Sequence, residues 1–428
     1  MLIDFSISNY ASIKDEMVLS TETGERLSRL KETNTITENQ FSLLKSLIIV
    51  GPNGSGKSGL LDGLHLMKSM VLKNPTKIID NFAYRPFALA DGLTQKETSF
   101  KIKFNYKNLT YQYSFAFLQN RITKENLKII KKTTEKVYFS RTNQVFDVLP
   151  PKLKSIAEST KQNTLFLYNA QQSNDQNAIN VLKWFADDLV FVDDEQIPDH
   201  LINLMKHKDI KDEFLRFLRF ADFNIVDVTV REVPTPKFPE QVSQILNIIN
   251  PNAKLPVSSQ QLNAVHKKFN NDGDVVGTQE IPLSLESRGT QKIFLIALSI
   301  INAQINGDGK TLLFDEFDDS LHFELSQALI QIFNSKQNKN QFILTTHELQ
   351  LLNSDLRTDQ IYLMEKDFQG RSTLSSIFDF KDSKKLARQD VHYMKRYIEG
   401  RFGALPQIEV NEMLKALDTS KINNSGEN

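Results

Sequence analysis

Apolar residues along this chain form short strand-like runs and longer helix-like segments. Residues 47–50 are continuously apolar, as in a buried strand, and residues 59–70 then place leucines and methionines at helical spacing. Later, the short apolar runs 312–314 and 342–344 flank a second segment of helical spacing at about 323–333. This alternation predicts an α/β fold in which helices flank a mixed sheet.

The same pattern divides the chain into three parts. Residues 1–150 are rich in strand patterns and include two alternating runs, 99–106 and 110–117, that predict an antiparallel hairpin. Residues 151–277 become more polar and are predicted as a mostly helical insertion, and the strand and helix alternation returns over 278–428. We therefore expect an N-terminal lobe with an antiparallel β subdomain, a helical insertion and a C-terminal lobe.

Composition narrows the class of protein. The 52 basic and 52 acidic side chains cancel, so binding to nucleic acid or anionic lipid would need a local patch of charge. The chain has no cysteine, which excludes disulfides and thiolate chemistry and fits a reducing cytoplasm. The longest apolar run, residues 293–301, is far shorter than the about 20 residues that cross a bilayer. We expect a cytoplasmic protein with no membrane segment.

The most specific motif lies between the first buried run and its helix. It fits G-x-x-x-x-G-K-[ST], in which glycines let backbone N–H groups surround a phosphate and the helix N-terminus adds partial positive charge. Lys57 would neutralise the β- and γ-phosphates, and the hydroxyl of Ser58 would bind Mg²⁺. The predicted nucleotide-binding residues are Gly51, Pro52, Asn53, Gly54, Ser55, Gly56, Lys57 and Ser58.

Acidic residues and a histidine follow the two later apolar runs. Asp315 and Glu316 come directly after residues 312–314, and His347 lies just beyond 342–344. One carboxylate can hold Mg²⁺ while the next orients or deprotonates an attacking water. We therefore predict Asp315 as a metal ligand and Glu316 as the catalytic carboxylate, with His347 reaching the γ-phosphate. A turn at 286–290 precedes another helical segment, whose N–H groups could hold a further phosphate.

In this order the motifs resemble the ATP-binding-cassette (ABC) class of ATPases, within the branch of RecF-like, SMC-like and overcoming-lysogenization-defect proteins. More narrowly, they resemble the AAA-type ATPases of bacterial abortive-infection and anti-phage defence systems. By this resemblance, residues 51–58 are the Walker A loop, Asp315 and Glu316 end Walker B, and His347 is the switch histidine. The residues Glu286, Ser287, Gly289 and Thr290 match the family's diverged signature turn, Asp319 and Ser320 match its D-loop, and residues 400–403 match its tail motif.

The resemblance implies a head-to-tail dimer that hydrolyses ATP with Mg²⁺. ATP on the Walker A loop of one subunit would be capped by Ser287 and Gly289 of the other, so that hydrolysis by Lys57, Glu316 and His347 needs two chains. The expected function is control of a separate effector, a nuclease or toxin, in anti-phage defence.

Two other functions remain open. The first is a RecF- or Rad50-type ATPase of DNA repair or chromosome maintenance that clamps DNA, and the second is the nucleotide-binding subunit of a transporter. The expected partners are accordingly a second copy or a larger homo-oligomer, an effector protein and, in the repair alternative, nucleic acid.

Overall fold

The computed structural model describes residues 1–75, 77–132, 134–192, 197–219, 224–234, 258–380 and 393–400, together with Leu414. Of the predicted tail motif, residues 401–403 lie outside the described residues. The described strands are β1 (Leu2–Ser8), β2 (Met17–Ser20), β3 (Thr35–Glu38), β4 (Phe41–Leu44), β5 (Ser46–Val50), β6 (Thr98–Tyr106), β7 (Leu109–Leu118), β8 (Arg121–Lys131), β9 (Thr134–Thr142), β10 (Val145–Val148), β11 (Leu189–Val192), β12 (Ile225–Pro234), β13 (Ser258–Phe269), β14 (Val275–Pro282), β15 (Thr311–Phe314), β16 (Gln341–Thr346), β17 (Ile361–Lys366) and β18 (Ser372–Ser376). The described α-helices are Lys31–Asn34, Lys57–Leu72, Lys154–Ser159, Phe166–Gln172, Gln176–Lys183, Asp199–Leu204, Lys208–Arg219, Arg288–Ile305, Phe323–Phe333 and Tyr393–Ile398.

A six-stranded sheet carries the predicted motifs, in the order β11-β15-β16-β5-β17-β18. All neighbouring strands are parallel except β18, which runs antiparallel to β17. Because the carboxyl ends of parallel strands lie at one edge of a sheet, the segments after β5, β15 and β16 meet there. These segments are the Walker A loop, the two acids and the switch histidine, so the parallel sheet brings together motifs about 260 residues apart in sequence.

Helices cover both faces of this sheet. Strand β5 sends Ile48 and Val50 into one buried cluster and Leu47 and Ile49 into the other, as period-2 alternation requires. The helix Arg288–Ile305, which we call the signature helix, packs with the first cluster, and the helix Lys57–Leu72, the P-loop helix, packs with the second. Burying one leucine or isoleucine side chain contributes about 1.5–3 kcal/mol to stability. Burial on the two faces therefore holds the P-loop helix and the signature helix against the sheet.

A seven-stranded sheet, in the order β10-β9-β8-β7-β6-β1-β2, forms the predicted antiparallel β subdomain. The predicted hairpin is confirmed, since β6 and β7 pair antiparallel along their lengths. A fully buried carboxylate, Glu125, joins this sheet to the helix Phe166–Gln172. It accepts hydrogen bonds from Arg141 Nε at 2.9 Å and from the backbone N–H groups of Phe166 and Leu167.

Within the predicted helical insertion, 151–277, the described residues form strands as well as helices. Residues 189–192 form β11, an edge strand of the six-stranded sheet, and residues 225–234 begin a three-stranded meander, β12-β13-β14. The physical reason is β-branched composition: Ile225–Pro234 carries isoleucine, threonine and four valines, which pack well on a pleated surface. The three-part domain division itself stays a prediction. In the described part of the chain, no helix combines the length and apolar character needed to span a membrane.

Candidate active site

The Walker A loop has the backbone of a phosphate-binding turn. It leaves β5 at Val50 and enters the P-loop helix at Lys57, and two of its glycines, Gly54 at φ +75° and Gly56 at φ +112°, lie in the left-handed region that side chains disfavour. Gly51 is required for a different reason, because a Cβ there would collide with the backbone oxygen of Met364. The loop therefore wraps closely around the N-terminus of the P-loop helix, where backbone N–H groups can bind an anion.

Lys57 is only 4% exposed and lies folded back into its own loop. Its Nζ donates to the carbonyl oxygens of Gly51 at 2.6 Å and Pro52 at 3.2 Å, and it lies 3.2 Å from Nδ1 of His347. Burial lowers the pKa of Lys57, while the nearby negative charges, Glu316 first among them, act in the opposite direction. The ammonium group is thus held by neutral acceptors that a phosphate oxygen could replace.

The two acids after β15 make different contacts. The Asp315 carboxylate accepts a hydrogen bond from Oγ1 of Thr345 on the neighbouring strand. The Glu316 carboxylate instead lies 2.8 Å from Nε2 of His347. Lys57, His347 and Glu316 therefore form a continuous polar chain across the edge of the sheet, and the structure brings together these three predicted catalytic residues.

An open cleft of about 690 Å³ lies over the Walker A loop. The predicted site residues Lys57, Ser58, Glu316 and His347 are among those that line it. The size of the cleft falls in the range of small-molecule sites. Sequence reasoning missed five residues that also line it: Ser12, Gly59, Asp62, Arg85 and Lys366.

Two of the missed residues reach the cleft through tertiary contacts. Ser12 lines the cleft, whereas Tyr10, two residues before it, is only 3% exposed. Arg85 lies with its guanidinium carbon 5.9 Å from the centroid of the Tyr10 ring. The local sequence pattern marks neither Ser12 nor Arg85 as a site residue.

Mg²⁺ would find hard oxygen ligands at this site. Ser58 is exposed in the cleft, and Asp315 is an exposed carboxylate at the end of β15. Within the described ranges, no three His, Asp or Glu side chains converge as a self-sufficient metal cage. A hydroxyl and a carboxylate suit Mg²⁺, which is commonly held by one or two protein groups together with substrate phosphates, so the residues present fit this ion.

The signature turn lies apart from the Walker A cleft of the same chain. Ser287 caps the signature helix by accepting a hydrogen bond from the Thr290 N–H at 3.1 Å. Gly289 packs against the D-loop so closely that a Cβ would lie 2.6 Å from the carbonyl oxygen of Ser320. Asp319 borders a second cavity of about 540 Å³, and none of Ser287, Gly289 and Asp319 lines the Walker A cleft. Within one chain, these three predicted nucleotide contacts are therefore not brought to the Walker A loop.

Comparison with protein families gives one match across most of these elements. Residues 46–353 match the model of a family described as "AAA domain, putative AbiEii toxin, Type IV TA system". The matched segment runs from β5 through the Walker A loop and signature turn to beyond the switch histidine, so it includes every predicted site residue.

Curated relatives extend the similarity along the chain. An "ATP/GTP phosphatase" of Helicobacter pylori is 23% identical over 386 residues, which cover 82% of this chain and 90% of the relative. The "DNA replication and repair protein RecF" of Francisella tularensis subsp. tularensis is 25% identical over 391 residues, covering 79% of this chain and 98% of the relative.

Two of the solved structures with detectable similarity are heads of SMC proteins. The SMC head bound to the C-winged helix domain of ScpA aligns over 88% of this chain and 97% of that chain, with a TM-score of 0.44 and 12% identity. The SMC head domain from Thermotoga maritima covers 88% and 98%, with a TM-score of 0.38 and 15% identity. These TM-scores are too low to carry an argument, and the identification of an ABC-type ATPase head follows instead from the family match, the sheet order and the position of the Walker A loop.

Proposed function

Because the chain belongs to this AAA-domain family, within the ABC class of RecF- and SMC-like ATPases, we propose that it binds ATP in the Walker A cleft and hydrolyses it to ADP and phosphate. The observation that carries this proposal is the polar chain from Lys57 through His347 to Glu316, at the edge where β5, β15 and β16 end. The chain supplies a cation for the phosphates and a carboxylate for water within one open cleft.

Each of these residues would have a separate role in the reaction. The loop N–H groups and Lys57 bind the β- and γ-phosphates, with the ammonium exchanging its carbonyl contacts for phosphate oxygens. Ser58 and Asp315 would hold Mg²⁺, which supplies charge neutralisation of the phosphates when bound. Glu316 orients the attacking water and accepts its proton, and His347 fixes the Glu316 carboxylate by the 2.8 Å contact.

Hydrolysis by this proposal takes place in a head-to-tail dimer. The signature turn is exposed at Ser287 and lies outside the Walker A cleft of its own chain. Its helix N-terminus would therefore cap the nucleotide of a second copy, with Asp319 of the D-loop beside it. Each copy would supply one half of each of two equivalent sites.

We propose a regulatory role in defence against phage as the biological function. The description of the matched family, which refers to a toxin and a toxin–antitoxin system, supports this role. The chain would act as sensor or regulator and control a separate nuclease or toxin. A DNA-clamping role in repair is the second candidate, and the RecF relative, aligned over 98% of its length, favours it.

The test begins with the purified chain. We expect hydrolysis of ATP that needs Mg²⁺ and is lost in Lys57→Ala, with duplex DNA and RNA left intact. GTP should be assayed in parallel, since the name of one relative includes both nucleotides. Absence of Mg²⁺-dependent hydrolysis by the wild-type chain would reject the proposal.

The two biological roles are separated by what the chain binds in its native host. We expect the ATP-bound Glu316→Gln variant to retain a nuclease or toxin, identified by mass spectrometry. Recovery of DNA with no protein partner, together with DNA-stimulated hydrolysis, would favour the repair clamp instead.

A further inference from the structure

The main chain at Glu316 has an unusual conformation. Its φ of +46° lies in the left-handed region, where the Cβ of an L-residue crowds the following carbonyl group, and Ser320 four residues later has φ +62°. A strained backbone at a reactive carboxylate persists only where surrounding contacts hold it. The contacts that hold Glu316 are therefore part of the machinery that aims its side chain.

Two side chains from different elements hold the peptide groups of Glu316. On the side of β16, Oγ1 of Thr345 accepts the Glu316 N–H at 2.8 Å. On the side of the signature helix, Nζ of Lys292 donates to the Glu316 carbonyl oxygen at 2.5 Å, and the same oxygen accepts the N–H of Asp319 at 3.0 Å. Lys292 is 6% exposed, so this charged hydrogen bond is shielded from water.

The signature helix touches the same turn at a second point. Gly289, three residues before Lys292, leaves no room for even a methyl group against the carbonyl oxygen of Ser320. Burial raises the pKa of the Asp318 carboxyl group, and the charge of Lys292 is one of the neighbouring influences that lower it. The turn from Glu316 to Ser320 is thus in contact with the signature helix at both ends.

We propose that Lys292 is a positioning residue that aims the Glu316 carboxylate for hydrolysis and couples it to the signature helix. When the signature turn binds the nucleotide of a second copy, any shift of its helix acts on the Glu316 carbonyl through Lys292. Hydrolysis in one site is thereby linked to occupancy of the other. This inference rests on the proposed ATPase function and adds a residue and a route of communication to it.

The first variant is Lys292→Met, which keeps the length and apolar stem but removes the donor and charge. Losing one charged hydrogen bond should lower kcat about 10- to 100-fold, while the Kd for ATP stays at the wild-type value because Lys292 does not line the Walker A cleft. Lys292→Arg, which restores a charged donor, should recover part of the kcat.

Lys45→Met is the matched control. Lys45 is 3% exposed and its Nζ donates to a backbone carbonyl, that of Ser335, at 2.6 Å, but it lies away from the cleft. It should lower the Tm and leave kcat unchanged at temperatures where the protein is folded. An equal loss of kcat in Lys45→Met and Lys292→Met, at equal folded fraction, would overturn the proposal.

A double-mutant cycle separates positioning from a merely structural role. If Lys292 acts through Glu316, Lys292→Met should cause no further loss in a Glu316→Gln background, whereas independent effects would add. Additive losses, or an unchanged kcat in Lys292→Met, would overturn the inference. If Lys292→Met does not fold, Lys292→Gln is assayed in its place with the same expectations. If the wild-type chain hydrolyses ATP and the Lys292 variant has the same kcat, this inference alone is rejected. If the wild-type chain does not hydrolyse ATP, the ATPase function is rejected and this inference with it.

Discussion

Replacing Glu316 with glutamine should separate ATP binding from ATP hydrolysis. The side chain is half-exposed, and its one described side-chain contact is the 2.8 Å approach of His347 Nε2. Glutamine has the same shape and keeps an oxygen for that contact, so the fold and the cleft should persist. An amide cannot accept a proton from water, however, so the proposed base is lost.

The size of the effect follows from the role assigned to this carboxylate. General base catalysis contributes about 10²–10⁴-fold, which corresponds to about 3–5 kcal/mol of activation free energy. We expect single-turnover hydrolysis of radiolabelled ATP to slow by that factor while the Kd for ATP stays close to wild type. Since the nucleotide is no longer consumed, the ATP-capped dimer should accumulate and be visible by light scattering.

A neighbouring acid provides the control for this experiment. Glu348, adjacent to His347, accepts the N–H of Gln350 at 3.1 Å and does not line the cleft, so Glu348→Gln should hydrolyse ATP at the wild-type rate. Hydrolysis by Glu316→Gln at the wild-type rate would refute the assignment of the base. A slowed Glu316→Gln that stays monomeric with ATP would instead refute capping by a second copy.

Other substitutions test binding and stability. Lys57→Ala should abolish tight ATP binding in calorimetry, because the phosphates lose their buried cation, and wild-type affinity would contradict that role. Glu125→Gln should lower the free energy of unfolding in urea by about 3–5 kcal/mol, because the buried charge of Arg141 loses its counter-charge, and a smaller loss in a Glu125→Gln, Arg141→Met double variant would support this cause. Burial raises the pKa of Asp318, so the folded state favours the protonated carboxyl group. Ionising this group lowers the stability of the fold, and the loss develops as pH rises from 3.8 through the raised pKa. Asp318→Asn should accordingly raise Tm at neutral pH but not near pH 3.8, and an equal gain at both would exclude this titration as the cause.

The sequence predicted local structure where contiguous residues specify it. The Walker A loop was predictable because eight contiguous residues specify its turn, its glycines and its lysine, and the observed loop has the left-handed backbone that Gly54 and Gly56 allow. The flanking strand and helix followed from apolar spacing, and the structure places them at Ser46–Val50 and Lys57–Leu72. Residues 225–234, inside the mostly helical region, form a strand because their β-branched side chains favour one, which a general prediction of helical character did not specify.

The sequence by itself determined the motifs whose geometry is set by covalent spacing: the phosphate loop, the two acids at a strand end and the turn at 286–290 before a helix. Only the tertiary structure decided which distant side chains meet them. Lys292 reaches the Glu316 carbonyl, and Ser12 and Arg85 enter the cleft, because strand order and helix packing bring separate segments together. Such contacts depend on burial summed over the whole sheet rather than on any local pattern, which is why no short stretch of sequence revealed them.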